Sequence, residues 1–134
     1  MTESSPTILA FDTSTSSCSA ALLSGETVLG EDTCSEAGNY SALLIQMIDR
    51  LLRDAALEID DVDCIAVAQG PGSFTGLRVG ISTAQGLGFA LAKPLIGVST
   101  LEIVAEQNMP FAGTVCPMLD ARRSQVYTCL LYTS

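Results

Sequence analysis

The residues able to do chemistry in this chain are few, and they sit at turns. Asp12 closes the apolar run Ile8–Phe11 and is followed by Thr13, Ser14 and Thr15. A carboxylate beside hydroxyls can hold a metal–phosphate pair, and it can equally make the local hydrogen bonds of a turn. A second such acid, Asp120, precedes Arg122 and Arg123, which either contact phosphate or lie solvated on a turn. Between them, Gly70-Pro71-Gly72-Ser73 opens a helix, where backbone N–H groups and the helix dipole can receive an anion. The same glycines also suit a tight strand-to-helix connection that binds nothing. No Lys follows at Walker spacing, and Gly70, Gly72 and Gly76 give G-x-G-x-x-x-G, so neither common nucleotide fingerprint is met. The candidate cofactor-binding residues are therefore Asp12, Ser14, Gly72, Ser73 and Thr75. Arg78 can reach an anion or a partner's carboxylate, or pair within the chain. Asp60, Asp61 and Asp63 read as a solvated acidic turn.

What is missing narrows the chemistry further. The chain has no histidine, which removes histidine-based triads and histidine metal sites; no catalytic residue and no metal ligand set is assigned. Five cysteines, at 18, 34, 64, 116 and 129, are odd in number and form no C-x-x-C. They read as small core residues, reduced in a cytoplasm. Six Lys plus Arg against fifteen Asp plus Glu leave a net charge of −9, which speaks against tight direct nucleic-acid binding. At 134 residues and 48% hydrophobic, the chain is one domain or slightly more, with enough apolar mass for a core. No signal pattern opens it. Its longest apolar stretch, Phe74–Ala92, carries Arg78, Gln85 and several hydroxyls and does not pass for a membrane span.

The elements that must position these residues follow from periodicity. Ile8–Asp12, Cys18–Ser24 and Thr27–Thr33 read as strands on short connections, an antiparallel meander. Asn39–Ala56 is an amphipathic helix with Tyr40, Leu44, Met47, Ile48, Leu51 and Ala55 on one face. Leu43, Ile45 and Leu52 widen its apolar arc to roughly 200°, against about 100° for a helix covering one sheet. The excess asks for a second apolar contact, with a partner protein or with the neighbouring helix. Ile65–Ala68 is a short buried strand, and the helix after it, capped by Ser73 or Thr75, runs to about Ala92. Along that helix Gly76, Gly80, Ala84, Gly88 and Ala92 recur every four residues. An interior glycine costs about 1 kcal/mol relative to alanine, so the ridge is expected to receive a closely packed backbone, from a sheet or another helix. The expectation adopted is a partner interface formed by Leu44, Met47, Ile48, Leu51, Gly76, Arg78, Gly80 and Ala84. Leu95–Val98 is a further strand, Ser99 or Thr100 caps a brief helix through about Gln107, and strands Thr114–Leu119 and Gln125–Tyr132 flank a turn at Asp120–Ser124.

Laid on itself at an offset of 108, the chain shows an echo. Ile8–Asp12 falls on Cys116–Asp120, and Cys18–Leu23 on Val126–Leu131, each half reading strand, Asp, polar turn, strand. This predicts a duplicated βββαβαβα unit, the α/β architecture of the actin, Hsp70 and sugar-kinase superfamily with its ribonuclease H-like lobe. Residues 1–112 would be the N-terminal lobe, and 113–134 the first hairpin of a truncated second lobe, only begun.

Five segments carry a resemblance: Ile8-Leu-Ala-Phe-Asp-Thr-Ser-Thr15, Gly70-Pro-Gly-Ser-Phe-Thr-Gly-Leu-Arg-Val-Gly80, Ala84-Gln-Gly-Leu87, Ile96-Gly-Val-Ser-Thr-Leu101, and Asp120-Ala-Arg122 with Val126-Tyr127. In these the chain resembles the bacterial TsaB (YeaZ) family from about Thr7 to Tyr127. The resemblance implies a non-catalytic scaffold in the machinery that forms threonylcarbamoyladenosine (t6A) at position 37 of ANN-decoding tRNAs. It implies pairing with a catalytic TsaD-like subunit through N-lobe helices, self-association there as a homodimer, and a TsaE-like ATPase joining the pair. On that reading the chain requires no cofactor of its own, ATP or ADP would sit at the partner interface, and tRNA is met only through the complex. The family commonly starts its first helix with His-Ser or His-Thr; here Tyr40-Ser41 stands there. The glycoprotease label once given to such proteins has no support in these residues. The alternative is a nucleotide-dependent small-molecule kinase of the same superfold, resting on Asp12 and the glycine turn.

Overall fold

The computed structural model describes residues 4–35, 39–110, 112–129 and 131–133. Two apolar rows run across its main sheet. Leu9 stands opposite Leu22 on one side and Ile65 on the other, and all three are fully buried. Phe11 stands between Ala20 and Val67 in the same way. These rows align three strands: β1 (Thr7–Asp12), β2 (Cys18–Ser24) and β4 (Cys64–Gly70). With side chains alternating between faces, fixing one row fixes the register of the sheet. β3 (Thr27–Cys34) pairs antiparallel outside β2, and β5 (Leu95–Ser99) pairs parallel outside β4. The order is β3-β2-β1-β4-β5, the meander and the parallel pair joined at β1.

Two helices cover the face that carries these rows. α1 (Tyr40–Asp54) packs on β2 and β3, and α2 (Phe74–Leu91) packs on β4, β1 and α1. The opposite face meets α3 (Thr100–Glu106), against β4 and β5. This is the ribonuclease H-like lobe of the actin-like superfold, as expected. The wide apolar arc of α1 is largely absorbed within the chain: Leu52 is buried and Leu43 packs against the core, while Ile45 stays 51% exposed. The acidic segment before β4 forms a single turn at Ile59–Asp61, with Asp61 accepting from the Glu58 N–H; Asp63 accepts from the Thr7 N–H and so ties that segment to the start of β1.

The C-terminal strands are shorter than the apolar runs suggested. Thr114–Leu119 divides into β6 (Gly113–Val115) and β7 (Met118–Arg122), because Pro117 has no N–H to continue a ladder. Gln125–Tyr132 divides into β8 (Gln125–Thr128) and β9 (Leu131–Thr133). The pieces pair as β7 with β8 and β6 with β9. In the echo, the match at Leu130 lies outside the described residues. The turn at 120–124 also contracts: Asp120 pairs with Val126 and Arg122 with Gln125, leaving Arg123 and Ser124 to reverse the chain. Arg122, Arg123 and Ser124 all have positive φ. The corresponding first turn is wider, since Asp12 pairs with Ser19. The two hairpins nevertheless share one local feature. Asp12 Oδ1 accepts from the Ser14 N–H and Asp120 Oδ1 from the Arg122 N–H, both at 2.8 Å.

The small-residue ridge of α2 meets this chain's own backbone. A Cβ at Gly76 would collide with the Thr13 carbonyl oxygen, and one at Gly80 with Thr13 Oγ1. A Cβ at Gly86 would meet nothing within 4 Å. Gly76→Ala is therefore expected to destabilise the chain by at least about 2 kcal/mol through overpacking. Gly86→Ala is expected to stabilise it by about 0.5–1 kcal/mol through helix propensity. Urea unfolding of the two variants checks both signs.

Candidate functional site

The site is a cleft at one end of the sheet, where the turn after β1, the start of α2 and the second hairpin converge. Its volume is about 670 Å³, and its walls are Ser14, Thr15, Ser16, Tyr40, Gly72, Ser73, Phe74, Thr75, Leu119, Asp120, Ala121, Arg122 and Tyr127. The wall nearest the sheet is built by a reciprocal docking of two turns. Gly70, at φ +116°, turns the chain out of β4 in a conformation that favours glycine. Ser73 then caps α2, its Oγ accepting from the Gly76 N–H at 3.2 Å. Of the two capping candidates, Ser73 is the cap, and Thr75 lies inside the helix. The Ser73 N–H donates to the Ser14 carbonyl at 2.7 Å, and buried Thr13 Oγ1 donates to the Gly76 carbonyl at 2.6 Å. At the mouth, the Tyr40 hydroxyl donates to the Ser16 carbonyl at 2.6 Å, which ties the start of α1 to the same turn.

This geometry sorts the expected residues. Ser14, Gly72, Ser73 and Thr75 do come together in the cleft. Asp12 does not: it lines a groove on the opposite side with Ala10, Glu31 and Asp32, and its Oδ1 is taken by the N–H and Oγ of Ser14. The glycine turn does not form a phosphate cradle either. The close approach that Gly72 permits is filled by the Ser14 carbonyl, and the Ser73 amide already donates to that oxygen. A nucleotide phosphate would have to displace the chain's own turn from that amide. What the cleft offers a ligand is a set of hydroxyls, the Arg122 and Asp120 side chains, and the rings of Tyr40, Phe74 and Tyr127. Phe74 and Tyr127 stand in segments that carry the resemblance but not among the candidate site residues. Phe74 follows the cap in the glycine block, and only its 74% exposure marks it. Among the described residues no three Cys, Asp or Glu gather as a metal site.

The residues expected at a partner interface need correcting in place. Leu44, Met47, Ile48 and Leu51 of α1 are buried in this chain's own core. Gly76, Gly80 and Ala84 of α2 are buried too, the glycines beneath Thr13. The physical reason is that the apolar face of α1 and the ridge of α2 are the surfaces that cover the sheet. Of the set only Arg78 stays exposed, its guanidinium 5.5 Å from the centre of the Phe74 ring. The outward faces carry different residues: Ile45 on α1 and Phe74 and Phe89 on α2, the last 91% exposed. A shallow groove between the helices is lined by Ser41, Thr75, Arg78, Val79, Ser82 and Thr83.

The docked turns set a stability expectation. Thr13→Val removes the buried hydroxyl that donates to the Gly76 carbonyl, and is expected to cost about 0.5–1.5 kcal/mol. Ser73→Ala is expected to cost about 1 kcal/mol through the lost cap. Because both act on one junction, the double variant should depart from additivity in a double-mutant cycle followed by thermal unfolding.

Comparison with known proteins agrees with the architecture. The family model described as "TsaD: tRNA N6-adenosine threonylcarbamoyltransferase" matches residues 32–133. The tRNA threonylcarbamoyladenosine biosynthesis protein TsaB of Bacillus subtilis (strain 168) is 41% identical over 124 residues, covering 92% of this chain and 54% of that protein. The protein of the same name from Escherichia coli (strain K12) is 37% identical over 123 residues, covering 90% of this chain and 52% of that one. The solved structure of YeaZ from Pseudomonas aeruginosa superposes with a TM-score of 0.88 at 37% identity, covering 96% of this chain and 61% of that one. The chain thus spans about half the length of the curated relatives it matches. It belongs to the TsaD family, and within that family to the TsaB (YeaZ) proteins.

Proposed function

We propose that this chain acts in t6A formation at position 37 of ANN-decoding tRNAs, as the N-terminal lobe of a non-catalytic scaffold that pairs with a TsaD-type catalytic subunit. The observation that carries the reading is the division of labour on α1 and α2. Their inner faces close this lobe, and their outer faces leave Ile45, Phe74 and Phe89 in water, with Arg78 over the Phe74 ring. Large exposed apolar side chains on two neighbouring helices mark a protein-binding surface. The relatives named for threonylcarbamoyladenosine biosynthesis support the pathway. The chemistry of these residues supports the scaffold role: the chain has no histidine, the glycine-turn amide beside the cleft is held by the Ser14 carbonyl, and the Asp12 carboxylate, outside the cleft, is held by Ser14. On this reading the chain needs no cofactor of its own, and a nucleotide, where one is used, sits at the interface with the partner. A TsaE-type ATPase joins the pair, a second copy competes for the same helices, and tRNA is reached through the complex in the cytoplasm. No described helix is long and apolar enough to cross a membrane.

The interface is tested by size-exclusion and titration against a TsaD-type subunit. Ile45→Asp combined with Phe89→Asp is expected to weaken the complex at least ten-fold, about 1.4 kcal/mol. Because both side chains are exposed, stability should stay within about 0.5 kcal/mol of the parent. Undiminished binding by that variant would remove this surface from the proposal.

The kinase alternative rests on Asp12 and the glycine turn. It predicts a saturable heat on titration with Mg-ATP, followed by turnover with an acceptor. The scaffold reading predicts weak or absent heat from the isolated chain.

A further inference from the structure

Cys18 and Cys34 face each other directly across the β2–β3 ladder. Directly opposed residues of an antiparallel pair project to the same face, with Cα atoms about 4.5 or 5.5 Å apart depending on the hydrogen-bonding position. Both spacings fall inside the range of about 4.4–6.8 Å that a disulfide spans. Cys18 is fully buried in the core beneath α1, and Cys34 packs against the same cluster while keeping part of its surface in solvent on the edge strand. The two thiols also sense each other. Burial pushes the Cys18 thiol up first, and Cys34 adds to that shift. The other cysteines lack such an opposite: Cys64 stands across from Ile8, and Cys116 contacts Thr128 Oγ1. All the described cysteines are free thiols.

We propose that Cys18 and Cys34 form a reversible cross-strand disulfide on exposure to a small disulfide oxidant such as oxidised glutathione. The Cys34 thiolate, the accessible member, attacks one glutathione sulfur; the glutathione S–S bond breaks and the first glutathione leaves as a thiolate that takes up a proton. The Cys18 thiol then gives its proton to solvent and attacks Cys34 Sγ, and the second glutathione leaves in the same way. The protein loses two hydrogens and two electrons, and one oxidised glutathione becomes two reduced ones. The buried thiol makes the second step the slow one at neutral pH, since the thiolate is the attacking species. The bond would tie the first residue of β2 to the last of β3. Those are the points where the chain leaves the Ser16 side of the cleft and sets out towards Tyr40, whose hydroxyl closes the mouth.

The experiment is peptide mapping of the whole chain after equilibration in glutathione buffers of rising oxidation. Free thiols are blocked by alkylation, and the chain is cut after glutamate without reduction. Glu26 and Glu31 lie between the two cysteines, so their peptides stay together only through the bond. The expected result is one dominant linked pair, Cys18 with Cys34, lost on adding dithiothreitol and absent in Cys34→Ser. Cys18→Ser should convert the product into a lasting glutathione adduct on Cys34. A lasting adduct on Cys34 of the parent chain, with Cys18 alkylated, would overturn the proposal. So would linkages dominated by Cys64, Cys116 or Cys129, or both thiols staying free at the most oxidising ratio.

Discussion

The structure depends on one close approach, that of the Thr13–Ser14 backbone to the first turns of α2. Two carbonyls and two donors meet there: Ser73 N–H with Ser14 O, and Thr13 Oγ1 with Gly76 O. Neither bond could form if residues 72, 76 or 80 carried a Cβ, because each would overlap that turn. Glycine costs helix stability at Gly76 and Gly80. That cost is offset by satisfying buried polar groups at the junction of β1, β4 and α2. The arrangement joins the antiparallel half of the sheet to the parallel half at the end where the cleft lies.

The same contact decides what the cleft is made of. In a fold whose glycine turn faces a ligand, the amides after the turn are free to receive an anion. Here the nearest one faces Ser14, and the Asp12 carboxylate faces back into its own turn. The opening is left with hydroxyls, aromatic rings and the side chains of the second hairpin. That composition suits contact and alignment better than proton transfer or phosphate activation. The outer faces of α1 and α2, freed from the core, then carry the apolar surface.

Much of this was legible in the residues, and the rest failed for identifiable reasons. The first three strands and their meander follow from the short apolar runs of Ile8–Asp12, Cys18–Ser24 and Thr27–Thr33, and the next strand from the apolar run Ile65–Ala68, while the order of the five in the sheet is given by the structure. The ridge at Gly76, Gly80 and Ala84 correctly announced a closely packed backbone. Spacing alone could not say whose, and it is Thr13, through its carbonyl at Gly76 and its hydroxyl at Gly80. The sequence places Leu44, Met47, Ile48 and Leu51 at an interface because an apolar arc reports hydrophobicity and not which neighbour covers it, and in the fold the sheet covers them. The interruption at Pro117 was visible as a residue without an N–H but was overridden by the apolar run around it. The tight second turn rests on left-handed Arg122, Arg123 and Ser124, residue types that give little warning of positive φ. Tyr127 and Phe74 enter the cleft through long-range placement that local pattern does not encode.

Amide hydrogen exchange at Ser73, followed by NMR on the chain free of any partner, tests the central claim most directly. If its N–H is held by the Ser14 carbonyl, the Ser73 amide should exchange with the protection of the core of α2, and Thr13→Val should lower that protection at Ser73 and Gly76 together. Exchange at Ser73 as fast as in an open loop, while the middle of α2 stays protected, would mean that the two turns are not docked and that the account of the cleft is wrong.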